Sequence, residues 1–386
     1  MRSTTRRHRI RILWAALHAC LLLAVTYLAW NIPMDLDDGG FLLKLYSTSR
    51  AAVARPDTLP DDLLLVNTCY DHTFVPVYKN AMEIGQTSIT DRRKLLTLLQ
   101  EMARTNDYRY VVCDIRFDGQ LTTETDSALF SLLSRMPRCC VPWSTAMTSF
   151  PEKLVPVTGV SEYSTHFLSS DFLKYQYLTG NGESVALRMA GETDSVSINR
   201  WGPLYFMGWK LCINAHIVDI ETNVNSEDAG ILHLGSDLMD IVEVGAGEMF
   251  RDRIIIIGDF FLNDVHNTVA GCVSGPMIIY NAYKALVAKR NVPAWWVWLL
   301  VLFAYYLLTL ATLCHFEPHD LLRMLWLRDK PLLNLLFDWM GFQVLFTLIA
   351  LIVYITAGLY IDAWVCAAYF TVFDKLYLNN ASRKNK

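Results

Sequence analysis

The chain has 386 residues, 53% of them hydrophobic, and a formal net charge of −4, enough for one or two ordinary domains. No Lys/Arg stripe is interleaved with aromatics on a soluble segment, which argues against nucleic acid as a partner. The average hides a partition, because Asp and Glu concentrate between Asp35 and Asp264 while uncharged apolar runs occupy both ends.

In chain order, residues 1–11 form a basic N-terminus containing Arg2, Arg6, Arg7, Arg9 and Arg11. An apolar run over 12–32 follows, and about 20 such residues at about 1.5 Å each cross a hydrocarbon core. The sequence Leu28-Ala29-Trp30 offers no small-residue cleavage site, so the run reads as an uncleaved anchor rather than a signal peptide.

Residues 33–292 read as one soluble domain. Leu63-Leu64-Leu65-Val66 predicts a buried strand whose polar end, Asn67 to Asp71, opens into a loop. Thr90 or Asp91 is a suitable N-cap for a helix carrying Leu95, Leu98, Leu99 and Met102. A strand is predicted over 110–115, a helix over 124–136 stopped by Pro137, and a third strand over 139–143. Alternating strands and helices with short connections indicate a mostly parallel sheet flanked by helices, an α/β fold. Residues 144–240 are rich in Gly, Ser, Asn and Thr and give no regular pattern. Ile254 to Gly258 is the clearest central strand, followed by a polar loop over 259–274 and a helix opening at Gly275-Pro276.

Three further spans are predicted at 293–313, 335–357 and 359–374, making four transmembrane helices, one before the domain and three after. The basic N-terminus, the 314–334 loop with Arg323, Arg328 and Lys330, and the 375–386 tail then share one side. The positive-inside rule makes that side cytoplasmic and the 33–292 domain extracytoplasmic, with Lys289 and Arg290 running against the trend. The expected location is the inner (cytoplasmic) membrane, as a multi-pass protein. Asp338 and Asp362 fall near predicted span ends and read as boundary residues rather than as ion-pathway carboxylates.

Candidate chemistry collects at the predicted strand ends. Asp71 and His72 follow the first strand, Asp114 and Asp118 the second, and Asp259, Asp264, His266 and Thr268 the Ile254 strand. Ligands of open α/β sheets bind beyond the carboxyl ends of strands, so these groups are candidates for lining one ligand pocket. Turn capping and solvated loops are the plainer reading of the same residues. No Gly-x-Ser-x-Gly elbow, phosphate loop, dinucleotide fingerprint or Cys-x-x-Cys pair occurs, so neither catalysis nor a cofactor nor a metal is expected. Cys69, Cys113, Cys139 and Cys140 lie in or beside apolar runs and read as buried small hydrophobes.

These passages together resemble a known family, the type-two extracytoplasmic sensory domain of the CHASE class. The resemblance rests on the acidic loop after Leu64, on Val111-Val112-Cys113-Asp114-Ile115-Arg116-Phe117, and above all on the closing pattern. That pattern runs from Arg253 to Gly258, through Asp264-Val265-His266-Asn267-Thr268, to Gly275 and Asn281-Ala282. Asn67 and Cys69 stand where the family usually has an acidic pair. The resemblance implies a sensor for an unidentified small-molecule or protein ligand. Receptors of this class carry kinase, cyclase or other output domains, whereas only residues 375–386 follow the last predicted span. Signalling would then pass through a separate signalling or envelope protein, with the lipid bilayer as second partner and homodimerisation compatible with the plan. The alternative is a scaffolding subunit of an envelope complex with no small-molecule ligand.

Overall fold

A computed structural model describes residues 2–32, 59–117, 122–142, 174–180, 182–224, 230–244, 247–268, 270–314, 343–355 and 366–373. The elements in chain order are α1 (Arg2–Trp30), β1 (Leu63–Asn67), β2 (His72–Lys79), β3 (Met82–Thr90), α2 (Arg92–Thr105), β4 (Tyr110–Asp114), α3 (Asp126–Leu133) and β5 (Cys139–Cys140). Then come β6 (Lys174–Gln176), β7 (Leu178–Thr179), β8 (Gly182–Glu183), α4 (Val185–Asp194), β9 (Asn199–Trp201), β10 (Leu204–Met207), β11 (Lys210–Leu211), β12 (Ala215–Ile217) and β13 (Leu232–His233). The remainder is α5 (Leu238–Val244), α6 (Gly247–Phe250), β14 (Ile254–Gly258), β15 (Val265–Thr268), β16 (Gly271–Ser274), α7 (Gly275–Val287) and α8 (Trp295–Leu313), then α9 (Gln343–Ile355) and α10 (366–373).

The central sheet has the order β13-β1-β14-β4-β5, and all its pairs are parallel. β14 pairs residue for residue with β1 on one side and β4 on the other, from Ile254 to Gly258. Its Ile run is buried along its whole length because helices cover both faces. Leu63, Leu65, Tyr110, Val112, Ile254 and Ile256 pack with α4 and α7, while Leu64, Val66, Val111, Cys113, Ile255 and Ile257 pack with α2 and α3. The α/β class expected from the sequence is the fold.

α2 begins where its cap dictates, since the Asp91 carboxylate accepts from the Arg93 and Lys94 amides. Three local expectations are corrected. The 139–143 strand is only two residues long, because β5 is an edge strand anchored through Val111 and Val112 alone. The helix predicted over 124–136 is regular only over Asp126–Leu133. The polar loop over 259–274 contains the antiparallel pair β15–β16, whose turn is tied by Thr268.

Among the described residues, two helical stretches, Ile10–Trp30 and Trp295–Leu313, are long and apolar enough to cross a membrane, and Gln343–Ile355 is a shorter apolar helix. Much of the two predicted C-terminal spans, with Asp338 and Asp362, lies outside the described residues. The parts described share one apolar cluster: Leu22 and Trp30 of α1, Val301 and Tyr305 of α8, Phe346 and Tyr354 of α9, and Ala367 and Phe370 of α10. Thr26 Oγ1 lies 2.7 Å from the Tyr305 hydroxyl, which lies 3.1 Å from Cys366 Sγ, so three helices meet on a polar contact.

Candidate functional site

The strand order puts the carboxyl ends of β1, β14 and β4 side by side, so the mouth of the sheet is built from Asn67, Gly258 and Asp114 and the loops that leave them. Asn67 closes the first loop. Its Oδ1 accepts from the Cys69 amide at 3.2 Å and the Phe260 amide at 3.3 Å, and its Nδ2 donates to His233 Nδ1 at 3.3 Å. His233, which no pattern in the sequence singled out, reaches the mouth from the edge strand β13 and stacks on Tyr70.

The loop after β14 returns on itself to deliver α7. Gly258 has no space for a side chain, because a Cβ there would stand 2.7 Å from Pro276 Cγ. Gly275 is equally constrained, since a Cβ would overlap the Asp264 carboxylate, with Cγ at 2.7 Å. The Gly275 amide donates to the Asp264 carbonyl at 2.7 Å. Asp264 is thus pressed against the first turn of α7, where the helix dipole favours a negative charge.

Against this frame the predicted site residues divide into two groups. Asp71 is held by Lys94 Nζ at 2.7 Å and by the Gly235 amide at 2.8 Å. His72 donates through Nε2 to the Cys69 carbonyl at 2.7 Å. Asp259 accepts from the amides of Phe261, Leu262 and Asn263 at 2.9–3.0 Å, which fixes the turn after β14. Thr268 donates to the Gly271 carbonyl and accepts from the Ala270 amide. These four side chains build loops, as the plainer reading of Asp and Thr in turns expects. Asp118 lies outside the described residues.

Asp114, Asp264 and His266 form the second group. His266 Nε2 lies 2.9 Å from Asp264 Oδ1, with both side chains about one-third exposed. Among the described residues Asp114 Oδ2 is covered and has no hydrogen-bond partner, although the residue as a whole keeps some exposure. Burial raises the Asp114 carboxyl well above the usual carboxylate range, and the Asp264 charge raises it further. The arrangement is a carboxylate pair in two environments, one covered and protonated readily, the other open and beside an imidazole. It can hold a proton or accept hydrogen bonds from a donor-rich or cationic group. Among the described residues no three His, Cys, Asp or Glu side chains are grouped to hold a metal ion.

Asp126, which the sequence did not single out, supports the neighbouring loop. It accepts from the buried Arg92 guanidinium and from the Thr123 amide and hydroxyl, the latter at 2.7 Å, while Arg92 also lies over the Phe117 ring. Among the described residues no disulfide is formed; Cys69, Cys113, Cys140 and Cys212 are buried and Cys272 is exposed.

Comparison of the chain with protein-family models, with curated proteins and with solved structures finds no match.

Proposed function

We propose that the chain is a membrane-anchored, extracytoplasmic binding module of the sensory type, without catalysis of its own, that acts through a separate partner. In this reading α1, α8, α9 and α10 belong to four spans of the cytoplasmic membrane, and the α/β domain stands on the outer side. The packing of the four helices into one cluster and the basic short segments support that plan.

The observation that carries the reading is an unbroken path from the sheet mouth to the spans. α7 starts against Gly258 and Asp264 and runs for 13 residues, about 20 Å, away from the mouth. At its far end Asn291 is bonded twice to Ile213, through its carbonyl at 2.8 Å and its Nδ2 at 3.1 Å. The next residue, Asn214, donates its amide to Asn31 Oδ1 at the end of α1 at 2.7 Å. α8 begins at Trp295, and Tyr354 of α9 donates to Asp219 at 2.9 Å. The ends of three apolar helices are therefore tied to the foot of α7. A ligand seated between Asp114 and Asp264 would displace the first turn of α7, and the helix would pass that displacement to α8.

The test is a thermal-shift screen of amines, amino acids and sugars on the full chain in nanodiscs, repeated on Asp264→Asn and His266→Ala. A compound that stabilises the wild type and not the variants supports the site; equal stabilisation of all three removes it. The scaffold reading draws on the β2–β3 hairpin, which pairs with no other strand among the described residues and exposes Phe74, Tyr78, Met82 and Ile84. It predicts a partner retained from membranes whatever small molecules are supplied, and lost when Phe74 and Ile84 become Ser.

A further inference from the structure

We infer that the β9–β10–β11 meander is an interfacial foot that rests on the lipid headgroups of the bilayer crossed by α1 and α8; the inference builds on the reading of those helices as spans. Two tryptophans motivate it. Trp201, in β9, is 79% exposed, and Trp209, in the turn between β10 and β11, is 100% exposed. A fully solvated indole on a rigid turn has no role in the fold, whereas Trp is enriched where an apolar surface meets water at a bilayer.

The strand register says which way the sheet faces. Leu204 stands opposite Trp201, and Phe206 stands opposite Leu211. Directly opposed residues share a face and alternate residues of a strand share a face, so Trp201, Leu204, Phe206 and Leu211 lie on one side. Leu204 and Leu211 of that side pack against the cluster formed by α1, α8, α9 and α10. Tyr205 and Met207, on the other face, pack instead into the core of the α/β domain. The apolar face with Trp201 therefore points toward the helical bundle.

The height of the meander is fixed as well. The Tyr27 hydroxyl, in the last turn of α1, accepts from the Tyr205 amide at 2.8 Å and donates to the Cys212 carbonyl at 3.1 Å. Tyr27 is three residues, about 4.5 Å along the helix, inside Trp30. The Trp298 ring lies 6.0 Å from Tyr27 and 5.3 Å from Trp30, and Trp295 and Trp296 are exposed at the start of α8. The meander is thus pinned at the aromatic level of the two longest apolar helices. A protein partner would have to reach this surface against the membrane plane, so the committed occupant is lipid.

The test uses the full chain labelled with 5-fluorotryptophan in phosphatidylcholine–phosphatidylglycerol nanodiscs, with the Trp201 and Trp209 resonances assigned by their loss in Trp201→Phe and Trp209→Phe. Headgroup-nitroxide lipid should broaden both resonances, and a soluble gadolinium chelate should spare them. If either resonance ignores the lipid label and broadens with the chelate, the foot is wrong and the surface faces water or a protein. The Trp14 and Trp298 resonances, within α1 and α8, are the control for acyl-chain nitroxide lipid. Their failure to broaden would overturn the spans, and with them the foot; their broadening without that of Trp201 and Trp209 overturns the foot alone.

Discussion

Replacing Asp114 by Asn should stabilise the unliganded protein at neutral pH, because the wild-type side chain opposes folding. Its Oδ2 is covered without a donor among the described residues, and burial together with the Asp264 charge raises its pKa. A covered polar group left unsatisfied costs about 1–3 kcal/mol, and the partial exposure of the residue argues against a larger figure. Asn keeps the shape, removes the charge and presents a donor next to the Asp264 carboxylate. A gain of about 1–3 kcal/mol corresponds to about 2–12 °C in Tm for a domain of this size class. The gain depends on pH. The folded carboxyl titrates above its ordinary value of 3.8, so folding is penalised as pH rises from that value through the folded pKa. Below 3.8 both states are protonated and the penalty vanishes. Intrinsic-fluorescence melting of the full chain in nanodiscs should show Asp114→Asn above wild type at pH 7.5 and close to it at pH 4.0. A variant that melts lower at pH 7.5, or gains equally at both pH values, would refute the reasoning. A group that weakens the apo fold while lining its mouth is the pattern expected where binding is selected over stability.

Two further outcomes follow from other buried groups. Asp126→Asn strips the partner from the buried Arg92 and should cost about 3–5 kcal/mol, with limited proteolysis opening the segment after β4. A variant as stable as wild type would mean that the pair contributes nothing. His216 is buried, and burial lowers its pKa to about 4. Its stabilising contribution is complete above the ordinary value of 6.5 and is lost as pH falls from there toward 4, by about 3 kcal/mol. Nitrogen-15 NMR of labelled histidine should find the ring neutral at pH 5.5, and a charged ring there would contradict its burial.

The central sheet was legible because its strands are continuous apolar runs. The Ile254–Gly258 stretch is short, β-branched and closed by Gly, which favours a strand buried on both faces over a helix. Asp91, one of the two cap candidates, marks the start of α2 directly, whereas α3 ends at Leu133, short of the Pro137 stop. The β2–β3 hairpin left no trace because most of its residues are exposed on both faces, so apolar alternation never arises. β5, β11 and β13 are two residues each and exist through their neighbours rather than through propensity. At the mouth, the sequence could bring together three strand ends carrying carboxylates, which the β1-β14-β4 order satisfies. It could not separate Asp259, whose carboxylate is used up on turn amides, from Asp114, whose oxygen is covered without a partner. That distinction depends on which backbone N–H groups fold over each side chain, and composition carries no record of it.

The claim that matters most is that events at the mouth reach the membrane helices through α7. Hydrogen exchange on the full chain in nanodiscs, comparing wild type with Asp264→Ala, tests it without knowledge of any ligand. Loss of the carboxylate pressed against Gly275 should speed exchange both in residues 259–276 and, about 20 Å away, at the amides of Ile213, Asn214 and Val292, while the amides of β1, β4 and β14 stay protected. Faster exchange confined to residues 259–276 would leave a domain that binds at one end and is merely tethered at the other, and would contradict the account.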